Sequence, residues 1–341
     1  MNVLMLFFNR PDHFSRVWAE VRRARPEHLF LYQDGPREGR DDMPGILACR
    51  ALVSDDQIDW PCRVERLYQE RNWGCDPSEY LSQKWAFSIV DRCIVLEDDD
   101  VPSQSFFRFA EEMLERYKND ERITLISGFN TDEDSRHYPS FTDYCGNSDY
   151  FFTRAFSIWG WASWARVVNN WDGDYGFVHD PARFALLREK VRLYHQRRDM
   201  PSMCQAHADS GKQYYESIFW AYMLLHDGLA IMPRLNLINN IGMEAGAHYS
   251  TQLDLLPRRL RRQFTMQRHE IDFPLIHPLK VEEYPDYQRR WYLRNAWDAP
   301  WRKLQYSLEE LVLNLRHGQW RRISSALVNR IKKTCHLSSY S

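Results

Sequence analysis

The sequence predicts an α/β domain built on a mostly parallel sheet, followed by a basic, mostly helical extension. Three observations carry this prediction. Short apolar runs alternate with helix-like periods, four acids follow one of these runs, and the charge becomes basic towards the C-terminus. Strands that alternate with helices form parallel sheets, because each crossover needs a long connection. We predict the sheet domain at residues 1–255 and the extension at residues 256–341.

The strands are predicted from apolar runs that end at turn residues. Val3–Phe8 is apolar throughout, as in a strand that is buried on both faces of a sheet. Leu29–Tyr32 is followed by the turn Asp34-Gly35-Pro36. Further strands are predicted at Cys62–Leu67, Cys93–Leu96, Ile123–Ile126 and Leu229–Met232.

The helices are predicted from apolar residues spaced three and four positions apart. The clearest is Ser105–Lys118, in which Phe106, Phe109 and Met113 share one face. A helix after Asn9-Arg10-Pro11-Asp12 is indicated by Phe14, Val17, Trp18 and Val21. Others are predicted at Ile46–Val53, Leu81–Val90, Ala182–Arg198 and Tyr214–His226. The polar stretch Asn130–Asn147 is expected to be a loop over a site.

Composition excludes several classes of protein. Lys and Arg total 45 and Asp and Glu total 47, so the formal net charge is −2, and a general nucleic-acid binder would be strongly basic. The seven Cys include no C-x-x-C pair, which favours free thiols in a reducing compartment. Because no apolar run reaches about 18 residues and the first is too short for a signal peptide, we expect a cytoplasmic protein.

The aromatic content is high, at 14% of the 341 residues. Trp and Tyr are useful wherever a surface is apolar on one face and polar at its edge. Sugars, oligomer interfaces and membrane surfaces all offer that combination. Three Trp fall within Trp159–Trp164, so Trp159, Gly160 and Trp161 are candidates for a sugar platform, and a buried core segment is the alternative.

The acidic residues Glu97–Asp100 directly follow the predicted strand Cys93–Leu96. In open α/β sheets, ligands bind at the carboxyl ends of the strands. Carboxylates at that edge could hold Mg²⁺ together with substrate phosphates. A solvated acidic turn that precedes the next helix is the alternative.

Three single residues have two interpretations each. Asp34 follows the second strand and could accept the N3–H of a pyrimidine, or it is a turn residue. Glu216 begins a helix and could be a general base, or it is an acid favoured by the helix N-terminus. His248 follows two Gly in a predicted loop and could contact a metal or phosphate, or it is a surface His.

Nine short motifs in order give the chain a family resemblance. They are Asn9-Arg10-Pro11, Gln33-Asp34-Gly35-Pro36, Arg71-Asn72-Trp73-Gly74-Cys75, Leu96-Glu97-Asp98-Asp99, Pro102-Ser103, Phe106-Phe107, Ser127-Gly128-Phe129-Asn130, Trp159-Gly160-Trp161 and Asn240-Ile241-Gly242. With them the chain resembles bacterial family 2-type glycosyltransferases of the GT-A fold over roughly residues 1–250. It is more distantly similar to N-acetylglucosaminyltransferase I.

The resemblance implies a nucleotide-sugar donor, Mn²⁺ or Mg²⁺, and inversion at the anomeric carbon. It maps the family's Glu-Asp-Asp motif onto Glu97, Asp98 and Asp99, with Asp99 as the metal ligand and the first two acids facing the ribose and donor sugar. Asp34 takes the place of the uracil-binding Asp. His248 falls where relatives carry a His.

The remaining implied site residues come from three other segments. Asn9 and Arg10 would line the nucleotide pocket, and Asn72 and Gly74 would lie beside the donor. The family's base is an Asp, whereas this chain has Glu216 at that position. Asp209 and Asp172 are the alternative bases.

The sequence thus predicts an inverting, metal-dependent glycosyltransferase that moves a sugar, from a donor expected to be UDP-linked, to a glycan or glycolipid hydroxyl. A non-catalytic sugar-binding module is one alternative. A sugar-phosphate nucleotidyltransferase is another, although Phe8–Asp12 lacks the Gly-rich phosphate loop that it needs.

The basic extension has two interpretations. From Trp301 onward there are eight Lys and Arg against two Glu. Apolar residues alternate with these basic residues, at Leu304, Leu308, Leu311, Val312, Leu315, Trp320, Ile323, Leu327 and Ile331. An interfacial element at the inner face of a membrane is one interpretation, and two helices packed on the domain are the other.

Overall fold

The structure is a computed structural model that describes residues 1–131, 146–191, 194–243, 253–288 and 300–325. Its strands are β1 (Asn2–Phe7), β2 (His28–Gln33), β3 (Arg63–Tyr68), β4 (Arg92–Glu97), β5 (Asp100–Pro102), β6 (Ile123–Ser127), β7 (Tyr150–Thr153), β8 (Trp161–Trp164), β9 (Leu229–Pro233) and β10 (Ile238–Asn240). Eight of them form one sheet in the order β3-β2-β1-β4-β8-β6-β9-β7.

The sheet is mostly parallel, which confirms the predicted fold class. β1 pairs in parallel with both β2 and β4, and β2 pairs in parallel with β3. β6 and β9 are also parallel to each other, whereas β8 runs antiparallel to β4 and β6, and β7 runs antiparallel to β9. The central strands are continuously apolar because helices cover both faces of the sheet.

The strand order reverses between β1 and β4. From β1 the chain steps outward to β2 and β3, and then returns to pair β4 on the other side of β1. Ligands of open α/β sheets bind in the crevice outside the carboxyl ends of the strands at such a point. Asn9 and Arg10 lie just past β1, and Asp98 and Asp99 just past β4.

The helices are α1 (Pro11–Ala24), α2 (Met43–Leu52), α3 (Cys75–Ile89), α4 (Gln104–Arg116), α5 (Ala165–Val168), α6 (Gly176–His179), α7 (Pro181–Lys190), α8 (Tyr194–Ser210), α9 (Tyr215–Leu225), α10 (Arg258–Gln263) and α11 (Pro300–Arg316). Short 3-10 helices lie at Asp55–Gln57 and Leu253–Leu255.

Two predicted helix boundaries are wrong. α3 begins at Cys75 instead of Leu81, since Pro77 is tolerated in a first helical turn, where its missing N–H has no partner to lose. The helix predicted at Ala182–Arg198 is interrupted: α7 ends at Lys190, Val191 is extended, and α8 is described from Tyr194. Most of the loop predicted at Asn130–Asn147, namely residues 132–145, lies outside the described residues.

A two-stranded antiparallel sheet brings the acidic segment next to the Asn-Ile-Gly segment. β5 pairs with β10, and Asp100 is the register partner of Asn240. The backbone N–H of Ile241 also donates to the carbonyl of Asp99 at 2.9 Å. This pairing connects two motifs that are far apart in the sequence.

Residues after the predicted boundary at 255 contact the sheet domain. The Glu270 carboxylate accepts from the backbone N–H groups of Gln104 and Ser105 at 3.0 and 2.7 Å, at the start of α4. Arg268 forms an ion pair with Glu20 at 2.8 Å. The division at residue 255 therefore stays a prediction. Within the described ranges, none of the helices is both long and apolar enough to cross a bilayer.

Candidate active site

Arg10 connects the ends of β1 and β4 across the crevice. Its guanidinium forms a two-point contact with the Asp98 carboxylate, and its Nη2 donates to Asp99 Oδ2 at 2.9 Å. Burial alone would lower the pKa of Arg10, but the charges of Asp98 and Asp99 outweigh it and raise that pKa. The guanidinium is therefore a fixed positive charge at the switch point.

The four acids alternate in exposure, as residues leaving a strand do. Asp98 and Asp100 are buried, whereas Glu97 and Asp99 keep part of their surface exposed. Asp100 accepts from the Gly160 backbone N–H at 2.9 Å and from Asn240 Nδ2 at 3.0 Å. Asp98 and Asp100 thus fix neighbouring residues through hydrogen bonds. Glu97 and Asp99 keep part of their surface free for a ligand in the crevice.

Asp34 organises the loop that follows β3. Its carboxylate accepts from the backbone N–H groups of Trp73 and Gly74 at 2.9 and 3.0 Å, and from Asn72 Nδ2 at 2.8 Å. Burial raises the pKa of Asp34, and the backbone hydrogen bonds from Trp73 and Gly74 oppose the rise. The structure therefore brings together Asp34, Asn72 and Gly74, and a role for Asp34 in pyrimidine binding stays a prediction.

Asn9 follows β1 and is fixed by the residue that precedes α2. Its Nδ2 donates to Asp42 Oδ1 at 2.8 Å, and Arg37 pairs with the same carboxylate at 2.6 Å. The Arg37 contact lowers the pKa of Asp42 to about 2. Gly45 permits this arrangement, because a Cβ there would lie 2.5 Å from the Asn9 carbonyl oxygen.

A second acidic group lies between α3 and α9. The group consists of Asp76, Glu79 and Glu216. Each of these residues has one carboxylate oxygen that lies within 4.8 Å of the corresponding oxygens of the other two. Glu79 is buried, its Oε1 accepts from the Cys75 thiol at 3.3 Å, and its Oε2 has no hydrogen-bond partner among the described residues. Three carboxylates at this spacing repel one another, so the group favours a proton or a cation.

The pKa of Glu216 is raised to about 7. Burial is the largest cause, and the negative charge of Asp76 adds to it. Burial likewise raises the pKa of Glu97, and the charges of Glu79, Asp100, Asp99 and Glu216 raise it further. Glu97 therefore interacts with both acidic groups, and the pKa of Glu216 is one that suits a base near neutral pH.

The alternative bases are placed differently from Glu216. Asp172 accepts from the backbone N–H groups of Gly176 and Phe177 at 3.0 Å each, so it closes the turn before α6. Asp209 is exposed on α8 and accepts from Gln205 at 2.9 Å. Neither belongs to the group that Glu216 forms with Asp76 and Glu79.

The predicted sugar platform is divided by burial. Trp161 is 1% exposed and stacks on Tyr215 and Phe87, so the core interpretation applies to it. Trp159 keeps exposed surface and packs on Phe129. Gly160 has φ +64°, and a Cβ there would lie 2.4 Å from Ile238 Cδ1, so this Gly is required by the fold. Trp159 also packs on Phe264, and of the two Trp it alone keeps part of its ring exposed.

The carboxylate chemistry fits a divalent cation. The carboxylates of Asp76, Glu79 and Glu216 offer oxygen donors of the type that Mg²⁺ and Mn²⁺ prefer. Asp99 keeps exposed surface although its Oδ2 accepts from Arg10. A Cβ on Gly242 would lie 2.5 Å from Asp99 Oδ2, so the chain passes this carboxylate closely. His248, the other predicted ligand, lies outside the described residues.

Sequence reasoning missed Asp76, Glu79 and Asn240. One signal was available for the first two: residues three apart at the start of a helix share a face. The signal is visible only if the helix begins at Cys75, as α3 does. The apolar pattern predicts a helix that begins at Leu81, which leaves Asp76 and Glu79 outside it. Asn240 was part of a motif, but its contact with Asp100 depends on the pairing of β5 with β10.

Comparisons with known proteins give weak structural likenesses. Mouse xyloside xylosyltransferase 1 is 12% identical, covers 66% of this chain and 80% of its own, and has a TM-score of 0.30. UDP-glucose pyrophosphorylase in complex with UDP-glucose is 8% identical, covers 51% and 81%, and has a TM-score of 0.29. The 4-diphosphocytidyl-2C-methyl-D-erythritol synthase of Anaerococcus prevotii is 10% identical, covers 64% and 91%, and has a TM-score of 0.29.

No protein-family model matches the chain, and no curated protein matches it. Likenesses of this strength do not identify a family.

Proposed function

We propose that the protein is an inverting glycosyltransferase that moves a sugar from a nucleoside-diphosphate sugar, UDP-linked by preference, to a hydroxyl of a glycan or lipid-linked acceptor. The observation that carries the proposal is the acidic group of Asp76, Glu79 and Glu216, whose carboxylate oxygens lie within 4.8 Å of one another. Burial and the charges of Glu79 and Glu216 raise the pKa of Glu97 at the end of β4, so a candidate base and a candidate cation site share one crevice. A bound cation would compensate the charge of the diphosphate leaving group, and a base would take the proton of the acceptor hydroxyl.

In the proposed reaction, Glu216 takes the proton of the acceptor hydroxyl as its oxygen attacks the anomeric carbon. The bond between that carbon and the diphosphate oxygen breaks, and its electron pair leaves with the diphosphate. With a pKa of about 7, a substantial fraction of Glu216 is ionised at neutral pH. One displacement from the face opposite the leaving group inverts the anomeric configuration.

Asp99 is the proposed ligand of a divalent cation, which when bound neutralises charge on the departing diphosphate. Arg10 would add a permanent positive charge at the same crevice. Asp98 would act by fixing Arg10, and Glu97 would face the donor sugar and ribose. Asn9 and the loop held by Asp34 would border the nucleotide.

The remaining proposed roles belong to residues outside the strand-end acids and the three-carboxylate group. Asn72 and Gly74 would lie beside the donor in the loop that Asp34 holds. Trp159 would offer a ring face to a sugar. His248 is retained as a proposed metal or diphosphate contact from its sequence position.

The test is a thermal-shift screen of nucleoside diphosphates and their sugars, with and without Mn²⁺, followed by turnover of the ligands that bind. We expect UDP and at least one UDP-sugar to raise the melting temperature only with the ion. Binding without any turnover would indicate a sugar-binding module. Release of pyrophosphate from a nucleoside triphosphate and a sugar phosphate would indicate a nucleotidyltransferase.

A further inference from the structure

Helix α11 presents an apolar stripe to solvent. Leu304, Leu308, Val312 and Leu315 recur at helical spacing and are 59%, 53%, 60% and 43% exposed, and Leu311 borders them. We call these five residues the apolar stripe. Five large aliphatic side chains on one exposed face are unusual for a protein surface in water, because burying each would be favourable.

The helix packs on the rest of the chain through its more polar side. Tyr306 and Asn314 are buried, and Glu309 accepts from the Arg258 backbone N–H at 2.8 Å. That contact anchors α11 beside the 3-10 helix Leu253–Leu255 and the basic helix α10. In the described part of the chain, the apolar stripe is therefore directed away from the domain that carries it.

Exposed basic side chains occur on α10, whose Arg258 backbone contacts Glu309 of α11, and at the C-terminal end of α11. Arg258 and Arg259 of α10 are exposed, as are Arg316 and Arg321 at the end of α11. Trp320, which is 66% exposed, follows the stripe. An apolar helix face with basic flanks and a terminal Trp is the pattern of a helix that lies in the headgroup region of a membrane.

We propose that the apolar stripe and its basic flanks bind an anionic lipid surface. Charge distinguishes this ligand from a second copy of the chain. In a two-fold dimer over the stripe, the Arg flanks of the two copies would approach one another, and like charges would oppose the pairing. Anionic headgroups complement the same Arg side chains. The proposal does not depend on the reaction proposed above.

The test is co-sedimentation of the full chain with vesicles of phosphatidylcholine, alone or mixed with phosphatidylglycerol. Leu308→Glu with Val312→Glu alters the stripe. Ile276→Glu with Leu279→Glu adds the same charge at two other exposed apolar positions and is the matched control. Arg258→Gln with Arg259→Gln tests the flank without altering the stripe.

We expect the wild type and the control pair to bind the anionic vesicles, and binding to weaken as salt rises. The stripe pair should bind at least about tenfold more weakly, and the flank pair should bind more weakly with a smaller salt dependence. Melting temperatures of all variants establish that they are folded. Turnover of a nucleotide sugar without vesicles is measured separately, so the two proposals fail independently.

Three results would overturn the proposal. One is no vesicle binding by the wild type, or equal binding by the stripe pair. Another is a wild-type dimer in solution that the stripe pair converts to a monomer, which would assign the stripe to a second copy. The third is binding by a chain that ends at Ser325 but not by the full chain, which would mean that residues 326–341 cover the stripe.

Discussion

The Nη2 atom of Arg10 donates to Oδ2 of Asp99 at 2.9 Å, across the crevice between the first and fourth strands. Arg10 also contacts Asp98, so one guanidinium compensates two carboxylates with little exposed surface. The contact between Arg10 and Asp99 joins the ends of β1 and β4. These two strands are parallel neighbours at the point where the strand order reverses. A cation at Asp99 would therefore lie beside a positive charge that the fold already supplies.

Removing the Arg10 charge should destabilise the protein. Arg10→Met leaves Asp98 and Asp99 without their cation, and breaking a buried ion pair costs about 3–5 kcal/mol. Urea unfolding measures this free energy, and Mn²⁺ should restore part of it. Arg22→Met breaks the exposed pair with Asp59 and should cost at most about 1 kcal/mol. Equal losses in the two variants would contradict the role of Arg10.

Substituting Asp99 should remove the response to the ion. Asp99→Asn keeps the size of the side chain but weakens its affinity for a divalent cation. We expect the Mn²⁺-dependent thermal shift with nucleoside diphosphate to disappear and turnover to fall at least about 100-fold. Asp91→Asn, at an exposed acid that precedes β4 at the end opposite the crevice, is the control and should behave as the wild type. A normal Mn²⁺ response in Asp99→Asn would place the ion elsewhere.

Substituting Glu216 should separate turnover from binding. Glu216→Gln cannot accept the acceptor proton, so the rate should fall by about 10²–10⁴-fold. Donor affinity, measured by calorimetry in the presence of Mn²⁺, should stay within a few fold of the wild-type value. If Glu216→Gln turns over normally while Asp172→Asn or Asp209→Asn does not, the base is one of those residues.

The activity should rise with pH below neutrality. Glu216, with a pKa of about 7, is protonated and inactive as a base at lower pH and ionised at higher pH. The kcat/KM value should therefore increase through about pH 7, where half of Glu216 is ionised, and level off about one pH unit higher. The pH profile of Glu216→Gln, from its residual activity, should lack this limb. An unchanged limb in that variant would assign the titration to another group.

Stability should change with pH in the opposite direction. The pKa values of Glu79, Glu97, Asp100 and Glu216 are raised by burial, so the folded state binds protons that the unfolded chain releases. Stabilisation by these protons is complete below the ordinary carboxyl pKa values, 3.8 for Asp and 4.5 for Glu, and is lost as pH rises through the raised values. The melting temperature should fall between about pH 5 and about pH 8.

Glu79→Gln should reduce that dependence, because the amide removes one titrating group while keeping the shape. Mn²⁺ should also reduce it by compensating the ionised acids. The measurement is thermal unfolding over the same pH range, with Glu70→Gln, at an exposed acid after β3, as the control. A melting temperature that rises over this range in the wild type would contradict the electrostatic account of the crevice.

The parts of the fold that could be predicted are those whose burial leaves a local pattern. Val3–Phe8 and Cys93–Leu96 are apolar because helices cover both faces of the sheet, and they correspond to β1 and β4. Short strands carry no such pattern. β5 and β10 have three residues each and exist because they pair with one another.

Some residues of the candidate site could likewise be predicted from a local pattern, and others could not. The acids after β4 could be predicted because a run of carboxylates at a strand end is visible in the sequence. The proximity of Glu216 to Asp76 and Glu79 could not, since it depends on how α3 and α9 pack. The burial of the two Trp could not be predicted either, because it depends on packing between distant elements. Trp161 is buried and stacks on Tyr215 of α9, whereas Trp159 keeps exposed surface.

The central claim is that the acids at the switch point support transfer of a sugar from a nucleoside diphosphate. The most direct measurement is the release of UDP from a panel of UDP-sugars, with and without Mn²⁺, by the wild type, Asp99→Asn and Glu216→Gln. We predict release by the wild type only with the ion, and strongly reduced release by both variants. Release that needs neither Mn²⁺ nor Asp99, or no release from any nucleotide sugar, would contradict the claim.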